Sequence, residues 1–193
     1  MSTVANSPIA SHTFTDPGEL EEAFNLRRDV KVIQLAAQCF RCHILRLDLG
    51  LAELLFITLN APIRILGDKT PGWLDFDFVM PSMAGELISH GLALRCDAVF
   101  GFDNARGIDM VLPENLVLRA LQVKREVFED YLQIMGRSDL DDRFLANNYV
   151  QSPATFASVQ GYLSELYGLV KHRAAFLNQP QINQLLLEDY CHY

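Results

Sequence analysis

The residue types that could do chemistry are concentrated in one short segment, Cys39-Phe40-Arg41-Cys42-His43. The CxxCH pattern has the letters of a haem-attachment motif, and its CxxC matches half of a zinc site. We expect neither, because haem attachment needs an exported context, and zinc needs further ligands that no second CxxC or HxxxH supplies. On a strand, residues three apart point to opposite faces, so the two thiols would diverge. The segment therefore predicts ordinary strand residues.

Two carboxylates, Asp75 and Asp77, stand one residue apart and would share one face of a strand. Such a pair could perform acid–base chemistry or bind Ca²⁺. Leu74, Phe76 and Phe78 alternate with them and would form the side that faces the core. We therefore expect Asp75 and Asp77 to lie on a solvated outer face.

The patterns of other catalytic sites are missing from the sequence. The metal-binding cupin pattern needs two His one residue apart, then a carboxylate and a distant His, whereas the five His stand at positions 12, 43, 90, 172 and 192. No G-x-S-x-G turn offers a nucleophilic serine, and no G-x-x-x-x-G-K loop offers a phosphate cradle. We expect a protein that is not an enzyme and has no catalytic residue, metal site or cofactor.

The composition is typical of a single globular domain: of 193 residues, 50% are hydrophobic and 21% are charged. The formal net charge of −8 disfavours a nucleic-acid surface, which needs clustered Lys and Arg. The sequence contains no run of about 18 apolar residues and no secretory signal pattern, and its four cysteines are too few for a secreted disulfide framework. We expect a cytoplasmic protein that makes no direct contact with nucleic acid or membrane.

The elements that must position these residues fall into three segments. Residues 1–11 are small and polar and predict a flexible N-terminus. Between residues 12 and 123, short apolar runs are separated by turn residues, which is typical of an antiparallel barrel or sandwich. The predicted strands are 29–36, 40–49, 52–59, 63–66, 73–80, 86–89, 93–102, 108–112 and 116–123.

The third segment, residues 124–193, changes to helical periodicity. We expect a helix over 124–135, a long helix from Pro153 to about Arg173, and a last helix over 180–190. The long helix carries an apolar stripe in steps of three and four, which could pack on the β-domain or on a second copy of the chain. We expect a homodimer through these C-terminal helices. The stripe consists of Phe156, Val159, Leu163, Leu166, Val170 and Leu177.

Aromatic residues on two long predicted strands form the candidate ligand site. A β-barrel that does not fill its interior leaves a cavity lined by such side chains, with polar groups at the mouth. An enclosed cavity of roughly 300 Å³ or more would favour ligand sensing, and a filled interior would favour a protein-interaction role. The candidate ligand-binding residues are Trp73, Phe76, Phe78, Phe100 and Phe102, with Arg41, His43 and Arg95 as polar neighbours.

Several stretches carry a family resemblance. Residues 39–50, followed by 54–56, resemble a G-x-F-x-G strand pair in which cysteines replace the usual glycines. Residues 73–76 resemble the next strands, and 116–123 with 126–128 resemble a closing strand and the helix after it. Together with the order of elements, these stretches resemble the N-terminal sensor and dimerisation domain of AraC/XylS-type transcription regulators, most closely the ethanolamine-operon type.

The resemblance implies a barrel that receives a small-molecule or protein signal, and dimerisation through the long helix. The family's two helix-turn-helix motifs would follow this domain, and the chain ends at Tyr193 without them. The expected fold is therefore α+β: a cupin-like antiparallel β-barrel or sandwich over 12–123, followed by a helical dimerisation and linker region over 124–193. The expected function is the ligand-sensing and dimerisation domain of a transcription regulator; the alternative is a stand-alone, non-catalytic, cupin-like interaction module.

Overall fold

The computed structural model describes residues 8–80, 85–151 and 153–172. In these ranges the strands are β1 (Ile9–Phe14), β2 (Val30–Gln34), β3 (Cys42–Asp48), β4 (Ala52–Leu59), β5 (Ile63–Gly67), β6 (Trp73–Val79), β7 (Leu87–Ser89), β8 (Leu92–Leu94), β9 (Ala98–Phe100), β10 (Ile108–Leu112), β11 (Leu116–Lys124) and β12 (Tyr149–Gln151). The helices are α1 (Pro17–Asn25), α2 (Arg125–Ile134), α3 (Asp142–Leu145) and α4 (Pro153–His172).

The strands form two open antiparallel sheets. The larger has seven strands in the order β1-β3-β4-β11-β6-β9-β12, and the smaller has five in the order β2-β5-β10-β7-β8. Because each sheet ends in edge strands, the expectation of a closed barrel is wrong, and the fold is the sandwich that the strand pattern left as the alternative. The α+β class is confirmed.

The two sheets bury one shared apolar core. Ile63 and Ile65 of the smaller sheet belong to the same buried cluster as Leu55, Leu118 and Ala120 of the larger sheet. These residues recur at every second position of their strands, which points them all to the inner face.

The outer face of the larger sheet is also covered, by the helices of this chain. Leu47 and Phe56 on that face form a buried cluster with Leu163 and Leu166 of α4, and a neighbouring cluster joins Leu74 to side chains of α2 and α3. The larger sheet is therefore the middle layer of three and is apolar on both sides.

Most predicted elements correspond to observed ones. The predicted helices over 124–135 and from Pro153 match α2 and α4, and β1 begins at Ile9, inside the segment expected to be flexible. The strand predicted over 93–102 is two strands, since β8 belongs to the smaller sheet and β9 to the larger. The last predicted helix, 180–190, lies outside the described residues. Within the described ranges, no helix combines the length and the apolar character that crossing a membrane requires.

Candidate functional site

A cavity of about 70 Å³ lies between the two sheets. Most of its wall is apolar and comes from strands β4, β5 and β11, and one part of the wall carries charged side chains. The volume is below the roughly 300 Å³ that would favour ligand sensing, and the interior is not filled either, so the cavity lies between the two alternatives set out for the sequence. The charged part of the wall consists of Arg28, Lys69, Asp75 and Asp77.

Strand β6 directs its two carboxylates into this cavity. Asp75 and Asp77 are only 6% and 8% exposed, so the expectation of a solvated outer face is wrong. The two residue types do alternate on β6, but the sides are exchanged, because Phe76 and Phe78 lie beneath the helices that cover the outer face. Asp75 accepts a hydrogen bond of 2.6 Å from Gln122 Nε2 on the neighbouring strand β11.

Asp77 is the buried carboxyl without a hydrogen-bond donor among the described residues. Its burial, and secondly the negative charge of Asp75, raise the pKa of Asp77 to about 7, against the opposing effect of Lys69 and Arg28. Gly101 makes room for this side chain, since a Cβ at that position would lie 2.8 Å from Asp77 Oδ2. Gly101 also has φ +91°, a conformation that side chains disfavour.

Lys69, in the loop before β6, is held by backbone oxygens. Its Nζ donates to the carbonyl oxygens of Gly101 at 2.6 Å and Asp103 at 2.5 Å. Burial lowers the pKa of Lys69, although the nearby carboxylates oppose the shift. Two of the three ammonium protons are thus engaged, and one is left for another acceptor.

Arg28 lies in the turn between α1 and β2, with its guanidinium carbon 5.0 Å from the centre of the Phe24 ring. The side chain is 13% exposed, and its Nη1 is 3.8 Å from Asp75 Oδ2, which is an ion pair without a hydrogen bond. No hydrogen bond joins this guanidinium to another described residue, so its planar set of donors is available to a ligand.

The five predicted aromatic residues are not gathered around this cavity. Phe76 stacks on Phe102 at 5.7 Å between ring centres, beneath α2 and α3. Phe78 lies 6.2 Å from Phe156 of α4, whereas Phe100 belongs to the core between the sheets. Trp73 is partly exposed at the start of β6, with the Arg27 guanidinium 5.1 Å from its ring.

The predicted polar neighbours also lie elsewhere. Arg41 is exposed, His43 Nδ1 is 3.1 Å from the hydroxyl of Thr13, and Arg95 pairs with Asp97 at 3.1 Å. Contact of these aromatic and polar residues with a ligand stays a prediction, and the cavity described above is lined by other side chains.

The apolar stripe of α4 lies on the larger sheet of its own chain. Its buried members are Phe156, Leu163, Leu166 and Val170, with Val159 partly buried beside them, and Leu177 lies outside the described residues. The same helix covers a buried guanidinium, since Arg119 of β11 has Tyr167 of α4 stacked 4.7 Å from its guanidinium carbon. A dimer formed by these side chains would require α4 to leave the sheet, and dimerisation stays a prediction.

The sequence contains a signal for a buried polar cluster on β6 and β11. On β6, Val79 lies on the same strand face as Asp75 and Asp77. On β11, Gln122 follows Leu118 and Ala120 on a face that is otherwise apolar. Polar residues that interrupt an otherwise apolar strand face indicate a buried polar cluster, because a solvated face would be polar along its length. Across the described ranges, no group of three or more His, Cys, Asp or Glu could hold a metal ion.

Comparison with known proteins shows the fold alone. No protein-family model matches the sequence, and no curated protein matches it. The fold is similar to that in the crystal structure of CuxR, an AraC-like transcriptional activator, with a TM-score of 0.56 and 9% sequence identity over 93% of this chain and 69% of that chain.

Proposed function

We propose that this chain is the ligand-sensing domain of a transcription regulator of the AraC-like type, and that the cavity between the sheets is its sensing site. The observation that carries the proposal is the charged cluster of Arg28, Lys69, Asp75 and Asp77 in an otherwise apolar cavity. Burying charges costs several kcal/mol per ion unless they are well paired, and a sandwich core does not need them. Titratable groups with shifted pKa values that line a cavity therefore mark it as a candidate functional site.

The regulator class is supported by the fold. The similar structure is that of an AraC-like transcriptional activator, and the stretches that resemble AraC/XylS-type regulators point to the same class. No catalytic centre is part of the proposal. Asp75 is engaged by Gln122, and we assign Asp77 to ligand recognition.

The proposed mechanism is a population shift. A ligand changes the state of a domain only through different affinities for two conformations. The layer that joins the cavity to α4 is the larger sheet, whose inner face lines the cavity and whose outer face seats the helix. We further propose that the chain forms a homodimer through its C-terminal helices, so that a ligand that alters this sheet would bias how α4 packs and with it the dimer.

The cavity part of the proposal is tested by filling the cavity. Ala120 lines it and is buried, whereas Ala93 on β8 is exposed. Thermal-shift measurements against a set of small carboxylic acids, amines, alcohols and amino acids would find compounds that stabilise the wild type. We expect the stabilisation to disappear in Ala120→Leu and to persist in Ala93→Leu. A sensing role for the cavity would be contradicted if no compound stabilises the wild type, or if every compound that does so stabilises Ala120→Leu to the same extent. Circular dichroism checks that the variant folds.

The dimer part needs a variant that keeps the fold. Leu166 is buried between α4 and the larger sheet. A charged side chain there would disrupt the packing of α4 in a monomer and in a dimer alike, so it would not test dimerisation. Glu165 is exposed on α4, and Glu165→Arg leaves the buried stripe intact. In sedimentation analysis we expect a wild-type dimer that Glu165→Arg weakens, and a wild-type monomer at every concentration would contradict dimerisation.

A stand-alone interaction module is the second candidate, and exposed apolar side chains favour it. Ile33 of β2 and Leu92 of β8, at opposite edges of the smaller sheet, are 45% and 47% exposed. The same cavity-filling experiment distinguishes the candidates, because an interaction module requires no small molecule to bind at Ala120.

A further inference from the structure

We propose that the cavity takes a small aliphatic monocarboxylate, whose carboxylate contacts Arg28 and Asp77 and whose hydrocarbon end packs among β4, β5 and β11. This inference rests on the proposed function, since it names the ligand of the same cavity. It uses Arg28 and Asp77, whose side chains make no hydrogen bond to another described residue and face the same cavity.

The first support is the set of hydrogen-bond donors that face the cavity. The Arg28 guanidinium makes no hydrogen bond to a described residue, and its N–H donors lie in one rigid plane. Lys69 has engaged two of its three protons with the carbonyl oxygens of Gly101 and Asp103. A planar donor set next to an ammonium proton matches a carboxylate, which accepts through two oxygens.

The second support is the charge balance. Arg28 carries one positive charge and Asp75 one negative charge beside it. Lys69 supplies a second positive charge as an ammonium group, which its two carbonyl acceptors and the nearby carboxylates favour against the effect of burial. Burial holds Asp77 partly protonated near neutral pH, because its pKa is about 7. With Asp77 protonated, an anionic ligand brings the cluster to neutrality, whereas a cationic ligand would leave an uncompensated positive charge even with Asp77 ionised.

Asp77 then completes the recognition as a donor. A protonated carboxyl donates its hydrogen to a carboxylate oxygen in a short, charge-assisted bond. No described residue accepts a hydrogen bond from this carboxyl, so its hydrogen is available to the ligand. The proton stays on Asp77 and no covalent step is involved.

The apolar part of the cavity wall determines the chemical character of the ligand's tail. Leu55, Ile63, Ile65 and Leu118 line the cavity, and such side chains stabilise a hydrocarbon group by excluding water from it. The volume of about 70 Å³ restricts the ligand to a few non-hydrogen atoms. A short straight or branched hydrocarbon chain fits both the apolar wall and the small volume. A tail that carries a second charged group does not fit the apolar wall.

The experiment compares three straight-chain probes with the same number of carbon atoms and different head groups: butyrate, butylamine and butanol, titrated into the full chain by calorimetry near neutral pH. We expect butyrate to bind, and butylamine and butanol to bind at least about tenfold more weakly, the factor for a lost charge-assisted hydrogen bond. Isobutyrate and propionate extend the series if the cavity prefers another tail length.

Two variants separate an anionic from a cationic ligand. Arg28→Gln removes the guanidinium and should weaken butyrate binding about 10- to 100-fold. Asp77→Asn keeps a donor in the side-chain amide and should change butyrate affinity less than about tenfold. Lys31→Gln is the matched control, because Lys31 lies on the exposed side of β2 and pairs with Glu21; we expect it to bind butyrate as the wild type does.

The outcomes distinguish this inference from the proposed function. Binding of butylamine that Asp77→Asn abolishes would overturn the monocarboxylate and leave the sensing cavity standing. Binding of another metabolite class that Ala120→Leu blocks, with no binding of the acids, would do the same. Butyrate binding that Ala120→Leu or Arg28→Gln leaves unchanged would place the acid elsewhere and overturn the inference.

Discussion

Replacing Asp77 by Asn should stabilise the protein, and more so as the pH rises. Asn has nearly the shape of a protonated Asp and never carries a negative charge. In the folded chain, burial and Asp75 raise the pKa of Asp77 from 3.8 to about 7. At a pH between these two pKa values, the folded chain holds a proton on Asp77 that the unfolded chain has released. The free energy of unfolding of the wild type therefore falls as the pH rises through this range. Asp77→Asn removes this loss.

The magnitude follows from the size of the shift. A rise from 3.8 to about 7 corresponds to a penalty of about 2–4 kcal/mol above pH 7, at about 1.4 kcal/mol per pKa unit, with the lower figure allowing for relaxation of the surrounding charges. The penalty is incomplete at pH 5 and complete at pH 8. We expect the stability difference between Asp77→Asn and wild type to grow by about 1–3 kcal/mol between these two pH values.

Urea denaturation at pH 5, 6, 7 and 8 measures this difference. Trp73 is the single tryptophan and reports on β6 itself, and coincidence with circular dichroism tests two-state unfolding. The matched control is Asp109→Asn, which makes the same substitution at a partly exposed carboxylate that pairs with Arg64 on the smaller sheet. A difference for Asp77→Asn that is constant with pH, or that shrinks as pH rises, would refute the reasoning.

Three further predictions concern packing and reactivity. Leu163→Ala should lower the free energy of unfolding by about 2–5 kcal/mol, because Leu163 is fully buried between α4 and the larger sheet. Gly101→Ala should cost about 1–3 kcal/mol in urea denaturation, because φ is +91° and the new Cβ would lie 2.8 Å from Asp77 Oδ2. At pH 8, a maleimide should label Cys39 much faster than Cys42 in peptide mass mapping, because Cys39 is exposed and burial raises the pKa of Cys42 to about 12.

Each of these three predictions has a control in the chain. Leu26→Ala changes a leucine that is 85% exposed and should cost less than about 0.5 kcal/mol. Gly136→Ala has φ +63° with open space around the new Cβ, so it isolates the backbone penalty from the contact with Asp77. Labelling in urea should make Cys42 as reactive as Cys39. Equal loss in Leu163→Ala and Leu26→Ala would contradict the packing of α4, and equal labelling rates without urea would contradict the burial of Cys42.

The sequence predicted the elements well because their signals are local. Apolar runs bounded by Gly50, Pro62 and Gly107 match strands of the structure to within a few residues, since turn chemistry and period-two alternation act over short stretches. The failure over 93–102 has the same origin. A local pattern cannot show that the chain changes sheets between Leu94 and Ala98.

The site was harder to predict because alternation identifies two faces without saying which one meets solvent. On β6 the aromatic face looked like the core, and it is indeed buried, but by helices that follow later in the chain. The pattern alone therefore predicts solvent contact for Asp75 and Asp77. Arg28 and Lys69 come from a turn and a loop, where no periodicity predicts which side chains reach a cavity, and only the sandwich brings them to Asp75 and Asp77.

The same ambiguity governs α4. Its stripe at steps of three and four predicts an apolar partner without identifying it. The strands supply the missing condition, because Leu45 and Leu47 of β3 with Leu54 and Phe56 of β4 form an apolar outer face that also needs cover. One chain contains both surfaces, and packing them together buries each without the entropic cost of association. A dimer through α4 must therefore use the exposed side of the helix or compete with this packing, and the second route would make assembly sensitive to whatever changes the sheet beneath.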